Sequence, residues 1–215
     1  MREYKVNRED NPLKTGDYPL AFFEEKAKGE RGARRALTLA EGEILHLALL
    51  EFCEKENAPK TIEKAEFGKL KFTKTDKNIK FSFSHSAQIL VLCVSDEGEV
   101  GVDVEKVDSK VHKGAARFLE GFYPTTLPLL STEVFEVTEL PHTVGRVAKT
   151  ALEEVFSEDS FLLRWTALEA VLKMSGEGLA AYKSAASLLP FINLSSGIYT
   201  SKNSDKYLIT LAKKL

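Results

Sequence analysis

The chain has 215 residues, enough for one large domain or two small ones, and its 43% hydrophobic and 29% charged content is ordinary for a globular protein. A net charge of -2 lacks the basic excess that nucleic-acid binding requires. The longest apolar run, Ile44 to Cys53, is interrupted by His46 and Glu51 and falls far short of a membrane span, so no membrane association is expected.

Met1-Arg2-Glu3-Tyr4-Lys5 is charged and no apolar run follows it, so no signal peptide is expected. Apolar Leu37, Ile44, Leu45, Ala48, Leu49 and Phe52 predict a long helix from about Ala33 to Glu56, with Gly42 as a point of kinking or breakage. Lys69 to Phe72 and Ile79 to Phe83 read as short strands. Ile89 to Val94 and Val100 to Glu105 read as a hairpin across Ser95-Asp96-Glu97-Gly98. Cys53 and Cys93 sit inside apolar segments and read as buried thiols, which fits a reducing cytoplasmic setting. Between 108 and 160, Pro124, Pro128 and Pro141 break the pattern, and Val147 to Phe156 suggests a helix. Ile198 to Thr200 and Tyr207 to Leu211 read as closing strands around Lys202-Asn203-Ser204-Asp205. Elements in this order make an α+β chain.

Two stretches carry chemistry. In Val100-Gly101-Val102-Asp103-Val104-Glu105, strand alternation puts Asp103 and Glu105 on one face and the valines on the other. Two like charges side by side on a strand repel. A cation between them relieves this, and a hard divalent metal with oxygen ligands is the natural candidate. In Trp165-Thr166-Ala167-Leu168-Glu169-Ala170-Val171-Leu172-Lys173, the residues Trp165, Glu169 and Lys173 share one helical face. Apolar residues surround them, which predicts burial, and a buried Glu and Lys are costly unless paired or bound. Gly176 and Gly178 mark the helix stop. Thr166 with Glu169 matches a capping box, which would start the helix near Thr166 rather than near Ser160.

Phe81-Ser82-Phe83-Ser84-His85-Ser86, Gly101-Val102-Asp103-Val104-Glu105 and Trp165 through Leu179 resemble, in order, three signature blocks of the 4'-phosphopantetheinyl transferases. The pattern is F-N-x-S-H-S, G-[IV]-D-[IV]-E and W-x-x-K-E-A-x-x-K-x-x-G-x-G-L. The likeness is nearer to the larger, surfactin-synthetase type. Phe67-Gly68-Lys69-Leu70 resembles the weaker G-K-P block, with Leu70 in place of proline.

The resemblance implies two similar α/β halves packed as a pseudo-dimer, residues 1–107 and 108–215, with the active site in the cleft between them. It implies a cytoplasmic, monomeric enzyme that moves 4'-phosphopantetheine from coenzyme A to a serine of an acyl or peptidyl carrier protein. Mg²⁺ would be held by Asp103, Glu105 and Glu169, with Glu169 as the base and Lys173 on the phosphates. Lys69, Ser84 and His85 would hold the nucleotide end. Arg35, with Arg31, Arg34, Lys26 and Lys28, fits the 3'-phosphate or a solvated helix start equally well. Two departures stand out. Leu168 occupies the position of a usual lysine, and the stretch between Glu105 and Trp165 is longer than usual. Leu168 leaves open a rival expectation, an impaired relative that binds coenzyme A or a carrier without transfer. The lack of a G-x-x-x-x-G-K-[ST] loop argues against the common nucleotide hydrolases.

Overall fold

The computed structural model describes residues 4–5, 20–52, 61–73, 78–108, 114–129, 136–139, 146–147 and 160–215. They form a mixed α+β fold, as the sequence pattern predicts. Strand β1 (Tyr4–Lys5) precedes helices α1 (Leu20–Lys28) and α2 (Gly32–Phe52). Strands β2 (Thr61–Lys64), β3 (Leu70–Thr73), β4 (Lys80–Ser86), β5 (Ile89–Ser95) and β6 (Val100–Lys106) follow. After short β7 (Leu127–Pro128), β8 (Glu136–Glu139) and β9 (Arg146–Val147) come α3 (Phe161–Ser175) and α4 (Tyr182–Leu188). The long strands β10 (Ile192–Thr200) and β11 (Lys206–Lys214) close the chain.

Helix α2 runs unbroken through Gly42. A Cβ there would lie 2.8 Å from the Phe23 Cβ, so this glycine marks where α1 and α2 touch rather than a kink. Leu37, Ile44, Leu45 and Leu49 of α2 pack on Phe81, Leu90 and Leu92 of the antiparallel sheet β4-β5-β8. Strand β5 is buried on both faces. Its Ile89, Val91 and Cys93 turn away from α2, toward Val100, Val102 and Val104 of β6. The second sheet has the order β6-β11-β10-β7, and α3 covers its far face. The layers therefore run helix, sheet, sheet, helix.

The predicted hairpin between β5 and β6 does not form. β6 pairs antiparallel with β11, from Val100 opposite Lys213 to Lys106 opposite Tyr207, while β5 pairs with β4 and β8. The two strands stack face to face through their valines instead. The closing hairpin β10–β11 forms as predicted, with Thr200 opposite Lys206. Cys93 is buried on β5, as expected. Cys53 and residues 148–156 of the suggested helix lie outside the described residues, and Val147 belongs to β9.

β6 is the edge of its sheet, and its outer N–H groups would be left unpaired. Serines on alternate positions of β4 accept them. The N–H groups of Val102, Val104 and Lys106 donate to the hydroxyls of Ser82 (3.1 Å), Ser84 (3.3 Å) and Ser86 (3.1 Å). On the opposite face of β4, Phe81 and Phe83 belong to the α1/α2 core. One strand thus joins the two sheets.

Gly101 decides how close α3 comes. A Cβ at this position would lie 2.0 Å from the Ala170 carbonyl oxygen and 2.3 Å from the Met174 nitrogen. Backbone cannot yield as a flexible side chain does. Gly101→Ala should therefore cost more than about 3 kcal/mol or prevent folding. Gly98→Ala, whose added Cβ would come no nearer than 3.9 Å to the Lys214 carbonyl oxygen, should stay within about 0.5 kcal/mol of the wild type. Thermal melting of the two variants checks this.

Candidate active site

Helix α3 starts at Phe161, five residues before the point that the capping-box match suggests. Thr166 is not a cap. Its buried hydroxyl donates to the Leu163 carbonyl (3.1 Å) and meets the Thr210 hydroxyl at 2.8 Å, which in turn meets Ser196 at 2.8 Å. This buried polar chain fixes the rotation of α3 on β10 and β11. The helix ends as predicted, at Gly176 with φ 77°, whose N–H donates to the Leu172 carbonyl. At this rotation Glu169 and Lys173 face β6.

Asp103 is 4% exposed. Its Oδ1 accepts hydrogen bonds from Lys173 Nζ (2.6 Å) and the Ser84 hydroxyl (2.8 Å). Its Oδ2 is buried and has no partner among the described residues. Glu105 accepts from the Ser86 hydroxyl at 3.0 Å and from the Trp165 side chain. Burial, then the Asp103 charge, push the Glu105 carboxyl above its ordinary pKa. The same two causes push Glu169 up, with Lys173 opposing and Glu105 adding to the rise. Asp103, Glu105 and Glu169 are therefore close enough to repel one another, with Lys173 as the counter-charge between them.

Among the described residues no three His, Cys, Asp or Glu side chains are grouped so as to hold a metal ion as they stand. The acids are neighbours, and the Lys173 ammonium stands on one of them. Their chemistry nevertheless suits a hard divalent cation. An unpartnered, buried carboxylate oxygen and two further carboxylates with a surplus of negative charge are what such an ion takes.

A cleft of ≈ 730 Å³ opens beside this cluster. Glu169, Leu172, Lys173, Gly176, Gly178 and Leu179 line one wall, and Lys26, Arg34, Glu41, Phe22, Phe81 and Phe83 line the other. The turn at Phe67-Gly68-Lys69 completes it. Lys69 lines the cleft, but its ammonium is engaged. It donates to the Met174 carbonyl at the end of α3 (2.5 Å) and to Glu99 (2.5 Å). Ser84 lies behind Lys173 rather than on the cleft surface; Lys173 Nζ donates to its hydroxyl at 2.8 Å. His85 is exposed at the end of β4. Partial loss of hydration, then the Arg34 and Lys173 charges, hold its pKa below the ordinary value.

Arg35 is exposed and is not a lining residue of the cleft. Arg34, its neighbour, lines the wall together with Lys26, which pairs with the buried Glu41 at 3.3 Å. Glu41 carries no signal in the sequence, whereas Ser86 stands in the Phe81–Ser86 block without a role of its own. For Ser86 a signal exists: serines at 84 and 86 run in phase with acids at 103 and 105, each pair 19 residues apart. Leu168 is wholly buried, packed with Leu119, Phe122 and Val171. It is a core residue, so its side chain is not the site of a missing phosphate contact.

The family model of the 4'-phosphopantetheinyl transferase superfamily matches residues 99–212, more than half of the chain. The protein belongs to that superfamily. The match takes in β6 with its acids and all of α3; the Phe81–Ser86 and Phe67–Leu70 blocks precede it. Comparison with curated proteins gives no significant match. No helix among the described residues is long and apolar enough to cross a membrane.

Two outcomes follow from the electrostatics and the packing. The folded protein holds a proton on Glu169 more tightly than the unfolded chain does, so the ionised carboxylate costs stability above its raised pKa. That cost shrinks as pH falls below the raised value and is gone only below the ordinary carboxylate value. Without metal, Glu169→Gln should melt higher than the wild type at pH 7.5, by about 2–4 °C for on the order of 1 kcal/mol, and the gain should shrink on acidification. Leu168→Lys should lose about 3–5 kcal/mol, because an unpaired charge enters a packed core. Chemical denaturation measures both.

Proposed function

We propose that this protein transfers 4'-phosphopantetheine from coenzyme A to a serine hydroxyl of an acyl or peptidyl carrier protein, releasing 3',5'-ADP. The observation that carries the reading is the Asp103–Lys173 contact beside Glu169 at the edge of the cleft, within a chain of this superfamily. The reaction displaces one phosphorus–oxygen bond of a pyrophosphate. Such chemistry requires positioning and neutralisation of charge more than covalent catalysis.

The serine oxygen forms a bond to the phosphorus that carries pantetheine, and the bond from that phosphorus to the bridging oxygen breaks. Glu169 takes the serine proton. Its raised pKa suits a base that works near neutral pH. Lys173 stabilises the charge that builds on the leaving 3',5'-ADP. Arg34, Lys26 and His85 hold the nucleotide end, and Lys69 fixes the wall against which it lies. When bound, Mg²⁺ supplies neutralisation of the pyrophosphate oxygens, with Asp103, Glu105 and Glu169 as its holders.

We place the protein in the surfactin-synthetase type, as a monomer working in the cytoplasm. The three blocks in order and the helix-on-sheet pairs stacked through β5 and β6 support two similar halves around one cleft. A binding-only relative has little to favour it, since Leu168 is a core side chain.

Asp103→Ala and Glu169→Ala should each lower transfer by about 10²-fold or more with the circular dichroism spectrum unchanged. The measurement is the mass gain of an apo carrier protein incubated with coenzyme A and Mg²⁺. Wild-type rates in the Glu169→Ala protein would remove its role as base.

A further inference from the structure

The serines of β4 do more than cap an edge strand. A hydroxyl has one hydrogen to donate and two lone pairs to accept with. Ser84 uses all three. It accepts from the Val104 N–H (3.3 Å) and Lys173 Nζ (2.8 Å), and donates its hydrogen to Asp103 Oδ1 (2.8 Å). Ser86 repeats the arrangement one period along. It accepts from the Lys106 N–H (3.1 Å) and donates to Glu105 Oε2 (3.0 Å). Each hydroxyl thus grips the backbone of β6 and, with the same oxygen, the carboxylate of the residue before. Ser82 grips the backbone alone, through the Val102 N–H, because the residue before Val102 is Gly101.

A phosphate oxygen only accepts, and Ser84 has no hydrogen left to offer one. We infer that Ser84 and Ser86 are positioning residues that set the Asp103 and Glu105 carboxylates for a hard divalent cation, and are not ligands of the nucleotide. The Ser84 bond to Oδ1 turns Oδ2 into the position where it is buried and unpartnered. Outer partners of this kind commonly change metal affinity 10- to 100-fold. The inference rests on the proposed reading only in giving the acids a metal role.

Ser82 provides the internal control, since Ser82→Ala removes one backbone grip and no carboxylate grip. The titrations use Mn²⁺ followed by electron paramagnetic resonance, and Tb³⁺ followed by luminescence excited through Trp165. Trp165 is the single tryptophan, and it bonds to Glu105. Ser84→Ala and Ser86→Ala should weaken Mn²⁺ binding about 10- to 100-fold, Ser82→Ala should not, and Ser86→Thr should restore it. Affinity for 3',5'-ADP without metal should hold in Ser84→Ala. Unchanged Mn²⁺ affinity in both alanine variants would overturn the inference. So would a loss of 3',5'-ADP binding in Ser84→Ala with Mn²⁺ binding intact. A wild-type protein that binds no Mn²⁺ or Tb³⁺ would also overturn it, while its transfer assay reports separately on the proposed reaction.

Discussion

The absence of a side chain at Gly101 governs the site. Strand alternation puts residue 101 on the same face as Asp103 and Glu105. Without a Cβ there, the α3 backbone at Ala170 and Met174 lies directly on β6. At that separation Lys173, on the same helical turn, reaches Asp103 at 2.6 Å. Glu169, one turn earlier, stands beside both strand acids. A larger residue would push the helix outward and part the ammonium from the carboxylate. The glycine of the first motif and the lysine of the second therefore make sense only together, though some seventy residues separate Asp103 from Lys173.

Close approach concentrates negative charge, and this has an energetic consequence. Asp103, Glu105 and Glu169 share one cationic side chain, Lys173, and two of the three carboxyls bind protons more tightly than they would in water. Such a cluster opposes folding rather than assisting it. The surrounding layers offset the cost through apolar burial: Ala167, Leu168, Ala170 and Val171 of α3 pack against Leu194 and Ala212. Strain at the site and a well-packed helix behind it are two sides of one arrangement, since a loosely held helix would swing away from the acids.

Local periodicity made much of this legible in the sequence. The Val-Gly-Val-Asp-Val-Glu alternation identified β6 and the facing acids, and the four-residue spacing of Trp165, Glu169 and Lys173 identified the face of α3 that meets β6. Long-range pairing was not legible. β5 is apolar on both faces, so its letters do not say which strand it hydrogen-bonds, and the short Ser95–Gly98 link imitates a hairpin. The true partner of β6 lies about a hundred residues on, in β11. Thr166 misled for a different reason: its hydroxyl serves a buried interlayer contact, which a capping box resembles only in spacing. Arg34 and Arg35 are adjacent letters in a basic run, and only the packing of α2 distinguishes the one lining the cleft from the one facing away from it.

The cleft owes its width to contacts outside the acids. Lys69 reaches across to the Met174 carbonyl, where α3 has run out of N–H donors, and is anchored by Glu99, which also pairs with Lys80 at 3.2 Å. A Cβ at Gly176 would meet the Lys69 side chain at 3.1 Å, so the glycine after α3 admits that strut as well as ending the helix. Thus the weak Gly-Lys block and the Gly-x-Gly ending of the strong block fit against each other. The lysine that likeness to the family assigns to the nucleotide spends its charge on holding the two walls at a set distance. Arg34, Lys26 and Lys173 line the same cleft and are likewise paired, with Glu30, Glu41 and Asp103, so the cations of α1, α2 and α3 and the Lys69 strut are all held in place by acids.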